Sequence, residues 1–300
     1  MNTSLRIGTR GSSLALWQAR YTQEKLAAIG VKSELVIIRT KGDDVQHLGF
    51  DKMEGKGFFT REIEEALLRG DIDLAVHSMK DLPTQSVEGL VITAVSYRED
   101  PADILLICKA QLHPGKPLQL PENARVGTSS SRRKAQLRDI RVDLQLEDIR
   151  GNVPTRLDKL RSGAFDAIVL AAAGLERLAA DLSDFVTIRL DPREMVPAPA
   201  QGVLAWQTLR EDIATRKILT GLHRGDVAVT TNVERKVLQL MQGGCQMPLG
   251  VHCFRDAQGN YHVHAAYAEK VDSPLIRVAI SSSTHFQLAE QIVARLRPGC

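Results

Sequence analysis

Two short patterns each occur twice in this chain and in the same order, and they constrain its fold more than any other feature. Arg6-Ile-Gly-Thr9, β-rich and running into a polar turn and a helical pattern, has a counterpart in Arg125-Val-Gly-Thr128. Gly70-Asp-Ile-Asp73 leads into the apolar strand Leu74–His77, as Gly163-Ala-Phe-Asp166 leads into Ala167–Leu170. A chain that alternates strands and helices in this way twice over predicts two similarly built α/β domains with largely parallel sheets. Paired domains of this kind are expected to face one another and hold ligands in the cleft between them.

The remaining organisation follows from this repeat. Strands are predicted at Leu5–Thr9, Ser33–Arg39, Ile72–His77 and Leu90–Ser96, with helices over Ser13–Ile29 and Thr60–Leu68. Between them lies a glycine-rich charged loop, Lys41 to Gly57. Tyr97-Arg-Glu-Asp-Pro101 reads as a crossing to the second domain, and Val196-Pro-Ala-Pro-Ala200 as the return. The last third changes style. A helix over Val227–Gln242 is expected to end on a left-handed glycine at Gly243-Gly244. Three β-rich runs (Val251–Arg255, Tyr261–Ala268, Leu275–Ser281) follow, then a helix over Phe286–Leu296. The expected domains are residues 1–96 with 201–219, residues 101–195, and a small α+β domain over 222–300.

Composition excludes several functions. Basic and acidic side chains number 39 and 36, giving a net charge of +3, and aromatics are 4%. A nucleic-acid binder would need a basic stripe or stacking platforms, so none is expected. The longest apolar run, Ala167 to Leu175, is too short to cross a bilayer. The N-terminal stretch lacks a targeting pattern, and four cysteines in 300 residues make no disulfide framework. A cytoplasmic protein with free thiols is the expectation. Cys245, His252, Cys253, His262 and His264 fit no zinc spacing, and adjacent His252 and Cys253 should face opposite sides of a strand, so no metal site is expected.

The chemistry-bearing residues gather at strand-to-helix turns. Thr9-Arg10-Gly-Ser12-Ser13, Thr128-Ser129-Ser130-Ser131-Arg132-Arg133 and Arg150-Gly-Asn-Val-Pro-Thr-Arg156 each set arginine beside small polar residues, and Arg177 follows a further strand. Helix N-termini offer unpaired N–H groups, and guanidinium forks match carboxylates or phosphates. A single such arginine is more often a solvated surface charge; four clusters at equivalent junctions of two matched domains favour anion binding. Lys52 and Lys56 lie in the glycine-rich loop, which suits a lid or an exposed linker equally. His77-Ser-Met-Lys80-Asp81 sets one carboxylate among cations, unless it is merely a turn cap. Gly243-Gly-Cys245-Gln holds a thiol on a loop, where it could act as nucleophile or attachment point.

Together these segments resemble the porphobilinogen deaminase family, from about Leu5 to Gly250. Thr9-Arg10 with Leu14-Ala-Leu-Trp-Gln18, His77-Ser-Met-Lys-Asp81, Gly127-Thr-Ser-Ser with Arg132-Arg133, Arg150-Gly-Asn and Gly243-Gly-Cys-Gln carry the likeness by their order and spacing. The resemblance implies two lobes like those of type II periplasmic binding proteins plus a small α+β C-terminal domain. It implies a dipyrromethane cofactor held by a thioether to Cys245, and Asp81 as the catalytic carboxylate. It implies that Arg10, Ser12, Ser78, Lys80, Thr128, Ser129, Ser130, Arg132, Arg133, Arg150, Arg156 and Arg177 bind the acetate and propionate groups of cofactor and growing chain. Lys52, Lys56 and Phe59 would belong to the active-site loop. The implied partners are porphobilinogen and the growing linear pyrrole chain, acted on by a monomer. A catalytically idle two-lobed anion-binding protein would share the arginines but have no use for Asp81 and Cys245 together. Pro154 and Ala200 stand where the family pattern has glycine, so the backbone at both positions is a point to check.

Overall fold

The computed structural model describes residues 4–39, 60–244 and 246–297. The chain opens with β1 (Leu5–Thr9), α1 (Ser13–Ala28), β2 (Ser33–Ile37), α2 (Arg61–Leu68), β3 (Leu74–Ser78) and β4 (Leu90–Val95). A second series follows: β5 (Asp103–Cys108), β6 (Arg125–Gly127), α3 (Ser131–Ile140), β7 (Gln145–Glu147), α4 (Val153–Arg161), β8 (Ala167–Ala171), α5 (Ala172–Arg177) and β9 (Phe185–Leu190). Then come β10 (Leu204–Leu209), α6 (Ile213–Thr220), α7 (Gly225–Leu240), β11 (Leu249–Arg255), β12 (Tyr261–Tyr267), β13 (Ile276–Ser282) and α8 (Leu288–Leu296). Packing divides the chain into two compact units, Met1–Arg98 with Gly202–Ala228 and Glu99–Gln201 with Val229–Cys300.

The first unit is built on a five-stranded sheet of order β2-β1-β3-β10-β4. β1 runs parallel to β2 and β3, whereas β10 inserts antiparallel between β3 and β4. Its strands are apolar on both faces because both are covered, by α1 and α6 around Leu26, Trp206 and Leu219 and by α2 around Ile63, Leu67 and Ile72. The second unit carries a sheet of order β7-β6-β8-β5-β9 in which β5 is the antiparallel insert. β5 shows the two-sided burial directly: Ile104 and Leu106 enter one core cluster and Leu105 and Ile107 the other. Counted within its own series, each sheet has the order second, first, third, insert, fourth. The shared order makes the two sheets equivalent lobes, as the resemblance to type II periplasmic-binding-protein lobes implies. The second unit also holds the antiparallel sheet β11-β12-β13, with its own core around Val237, Val251, Val263 and Ile292. The fold is therefore two α/β lobes of that type plus a small α+β C-terminal domain.

The repeated sequence patterns become repeated hydrogen bonds. In the first lobe, Gly70 takes φ 74° after α2, and its N–H and that of Asp71 donate to Leu67 O (3.0 Å) and Ala66 O (2.9 Å). In the second, Gly163 takes φ 74° after α4, with Gly163 and Ala164 donating to Leu160 O (3.0 Å) and Lys159 O (3.1 Å). Only glycine enters this left-handed cap without strain. Three residues on, Asp73 Oδ2 accepts from the Arg6 backbone N–H (2.7 Å) while Oδ1 accepts from Arg6 Nη2 (2.7 Å). Asp166 does the same for Arg125, at 2.7 and 3.3 Å. Each aspartate locks the start of a third strand to the start of a first.

Two expectations about helix ends are corrected. The left-handed cap after α7 falls on Gln242 (φ 54°) rather than on Gly243 or Gly244. Gly243 is needed for space instead: a Cβ there would lie 2.6 Å from Met247 Sδ and 2.9 Å from Leu238 Cδ1. The last helix begins at Leu288, not Phe286, because Gln287 takes φ 57° and Thr284 Oγ1 first accepts the Phe286 N–H (3.2 Å) in a turn. The two departures from the family pattern are accommodated. Pro154 lies in the first turn of α4, where a missing N–H costs no helical bond. Ala200 adopts φ 63°, fully buried, with its N–H donating to Glu234 Oε2 at 2.6 Å.

Candidate active site

In the first lobe the polar turns after β1 and β3 gather at the C-terminal ends of neighbouring parallel strands, where open α/β sheets bind ligands. Arg10 follows β1. Ser12 is the N-cap of α1, its side chain accepting the Ala15 N–H at 3.4 Å. β3 ends at Ser78, and Met79–Asp81 form a single 3₁₀ turn tied to the return strand by Met79 N–H to Val203 O (2.9 Å). Gln18 of α1, 4% exposed, donates from Nε2 to Ser78 Oγ at 2.8 Å. Desolvation pushes the Asp81 carboxyl above the ordinary carboxylate range although its side chain still reaches solvent; Lys80 and Arg10 pull it back down. The structure thus brings Arg10, Ser78, Lys80 and Asp81 into one electrostatic neighbourhood.

The second lobe concentrates cations. Thr128 is buried and Ser130 is the N-cap of α3, accepting the Arg133 N–H at 3.4 Å. Ser129 Oγ donates to Ile149 O (2.8 Å) and so ties this turn to the one that carries Arg150. Gly151, at φ 105°, lets the chain reverse before α4, whose N-cap is Asn152. Arg156 Nε donates to Gly151 O at 2.8 Å. The Arg156 guanidinium is depressed to about 10, by desolvation first and then by the like charges of Arg133 and Arg150. Arg133 and Arg150 therefore lie near enough to Arg156 to act on its charge, and such a grouping of guanidiniums suits an anion with several carboxylates. Arg177, at the end of α5, is buried.

Arg132 and Arg133 are held from behind by a residue that the sequence patterns had not marked. Asp103, the fully buried first residue of β5, accepts from Arg132 Nη1 (2.8 Å), Arg133 Nη2 (2.7 Å) and Gln201 Nε2 (3.0 Å). Arg132 Nη1 also donates to Val196 O (2.8 Å) and Arg133 Nη1 to Val169 O (2.9 Å). The pair of guanidiniums holds the Asp103 carboxyl far below the usual range against its own desolvation. One carboxylate for two arginines leaves a net positive charge, and Nε of each has no hydrogen-bond partner. That residual charge and those donors fit a carboxylate-rich cofactor. An aspartate opening an otherwise apolar run, Asp103-Ile-Leu-Leu-Ile107, was the one available signal.

The other sequence-marked residues fall outside this picture. Lys52, Lys56, Phe59 and Cys245 lie outside the described residues. Among the described residues no group of three or more His, Cys, Asp or Glu is arranged to hold a metal. Cys253 points into the C-terminal core, while His252 stacks on Phe254 at 5.6 Å between ring centroids. No helix among the described residues is long and apolar enough to cross a membrane.

Fold and site together define a two-lobed α/β protein whose strand-to-helix turns carry a carboxylate in one lobe and an arginine cluster in the other. A family model described as "Porphobilinogen deaminase, dipyromethane cofactor binding domain" matches residues 5–217. The chain belongs to the porphobilinogen deaminase family. It is 44% identical over 283 residues to a porphobilinogen deaminase of Trichlorobacter lovleyi, covering 93% of this chain and 88% of the relative. A second, from Syntrophotalea carbinolica, is 42% identical over 302 residues and covers 98% and 94%. Among solved structures, the periplasmic aliphatic sulphonate binding protein SsuA from Escherichia coli aligns with a TM-score of 0.44 at 18% identity, over 80% of this chain and 70% of that one.

Proposed function

We propose that this chain is a transferase that condenses porphobilinogen units, with loss of ammonia, onto a dipyrromethane bound through Cys245, and releases the linear tetrapyrrole hydroxymethylbilane by hydrolysis. The observation that carries this reading is the pair Arg132 and Arg133, held by the single carboxylate of Asp103 with a net positive charge left over, beside the turn of Arg150 and Arg156 to which Ser129 ties them. When bound, the dipyrromethane supplies the free pyrrole α-carbon from which the chain grows. The protein's own residues do the rest. Arg132 and Arg133, oriented by Asp103, present donors to acetate and propionate groups, and Arg150, Arg156 and Arg177 extend that surface. In this reading Asp81 supplies the carboxylate that offsets the positive charge developing as the aminomethyl nitrogen leaves as ammonia. The same carboxylate serves to protonate the departing amine and to accept the proton that the attacking pyrrole α-carbon loses once the new carbon–carbon bond has formed. Gln18 keeps Ser78 in place beside it.

The reading includes three domains with the boundaries given above, an active-site loop containing Lys52, Lys56 and Phe59, and a monomer at work in the cytoplasm. Intact mass is the decisive test. Freshly purified protein should exceed its sequence mass by two linked pyrrole units, Cys245→Ser should lose the excess, and the parent protein should release ammonia from porphobilinogen. A folded protein at the bare sequence mass with no ammonia release overturns the reading.

A further inference from the structure

Behind the Ser78–Asp81 turn runs a line of buried polar side chains that the proposed reaction does not itself use. Glu64 lies on α2, 6% exposed, on the helix whose Ile63, Ala66 and Leu67 fill one face of the lobe core. A carboxyl in such surroundings is strongly disfavoured unless its oxygens are hydrogen-bonded. Oε1 accepts from Gln207 Nε2 (3.0 Å) and Oε2 from Thr60 Oγ1 (3.2 Å). Gln207, 2% exposed, sits where the pairing of β10 with β4 slips, between Trp206 and Gln207. Such a bulge re-aims a side chain. Gln207 is paired with Ala75 across β10 and β3, which puts its side chain on the same sheet face as His77 two residues along, itself 6% exposed. Burial holds His77 neutral, its pKa lowered to about 4, and the Gln207 side chain opposes that shift. Gln207 Oε1 and His77 Nε2 are both buried without a partner in standard hydrogen-bond geometry, so the two side chains are joined by their shared face and not by a formed bond.

We propose that Glu64, Gln207 and His77 are positioning residues that set the direction of the Ser78–Asp81 turn. Consecutive side chains of a strand point to opposite faces, so fixing the His77 ring fixes where Ser78 points. Gln18 holds Ser78 from the α1 side, and the Glu64–Gln207–His77 line holds its neighbour from the α2 side. An apolar filling of the same volume would serve stability as well or better, so the polar line specifies geometry.

This inference rests on the function proposed above, and the test separates the two. Gln207→Met keeps the volume and removes both contacts. It should remain folded with its mass excess, lower kcat by about ten- to a hundredfold and leave KM within about twofold, as expected for a misaimed catalytic group. Glu64→Gln, which still accepts from Gln207, should keep near-parent turnover, whereas Glu64→Met should match Gln207→Met. Nitrogen NMR of the His77 ring should show one neutral tautomer in the parent and a mixture in Gln207→Met. Parent-like kcat in folded Gln207→Met, or a loss shared equally by Glu64→Gln and Glu64→Met, overturns the positioning role. A parent protein without mass excess or ammonia release overturns the function instead. Should Gln207→Met fail to fold, the two Glu64 variants and their His77 spectra decide.

Discussion

Asp103 Oδ2 accepts a hydrogen bond from Arg132 Nη1 at 2.8 Å where neither side chain is more than 5% exposed. Arg133 completes the trio at 2.7 Å. Removing the carboxylate leaves two like charges buried without their counter-ion, a loss of about 3–5 kcal/mol for a broken buried pair. Asp103→Ala should therefore unfold at much lower denaturant concentration. Because folding depresses the Asp103 pKa, its stabilisation is complete above the unfolded value near ~4 and fades as pH falls below it. Denaturation curves between neutral and acid pH should show the parent losing that increment while Asp103→Ala does not.

Ala200 tests how strained the return segment is. A non-glycine residue in the left-handed region costs roughly 1–2 kcal/mol. Ala200→Gly relieves that, but gives up about 0.8 kcal/mol of buried methyl and roughly 0.4–1 kcal/mol of unfolded-state entropy. These nearly cancel, so its unfolding free energy should change by less than about 1 kcal/mol. Ala200→Val adds a branched side chain to a fully buried left-handed site and should cost more than about 2 kcal/mol. Equal stability of both variants would contradict the φ of 63°.

Asp81→Asn should fold and bind substrate yet turn it over about 10²–10⁴-fold more slowly, measured as single-turnover ammonia release. The pH profile carries a second signature. Desolvation raises the Asp81 pKa and Lys80 lowers it, so an activity that needs the carboxylate has its acid limb above the ordinary carboxylate value. Lys80→Met should move that limb to still higher pH, apart from any change in KM. An acid limb that stays in place would remove Asp81 from the rate-determining ionisation.

The matched clamps Arg6–Asp73 and Arg125–Asp166 should behave as equivalents. Both ion pairs are partly exposed and screened, so most of their worth is the backbone N–H that each aspartate accepts. Asp73→Ala and Asp166→Ala should each cost about 1–3 kcal/mol, and the double variant should show near-additive losses by calorimetry.

Much of this was legible because it is local. Gly70 and Gly163 announce their caps, and the aspartates three residues later sit at the same offset from them, so the repeat in sequence became the same set of bonds in each lobe. Ser12 and Ser130 also lie where a helix start asks for a hydroxyl. The Asp103 trio was not legible, since its partners lie 29 and 30 positions away and meet only through sheet order. The roles of Gln242 and Gly243 were exchanged because sequence shows which residue tolerates φ above zero, not which one Met247 leaves without room. The return of the chain to the first lobe was legible in Val196–Ala200, but the place of β10 between β3 and β4 was not, since sequence does not show which strands pair.

That insertion has a consequence for the order in which the chain becomes a protein. The sheet carrying Asp81 draws its fourth-placed strand from Leu204–Leu209, whereas all strands of the arginine-bearing sheet lie in one continuous stretch from Asp103 to Leu190. During synthesis, β3 and β4 leave the ribosome with the edges that β10 will pair still bare. The later-made lobe has every strand in hand before the earlier one does. A released fragment ending at Val203 holds every strand of the second sheet but not of the first. On the growing chain the exposed flanks of β3 and β4 wait as a templating hazard until β10 emerges to fill the gap.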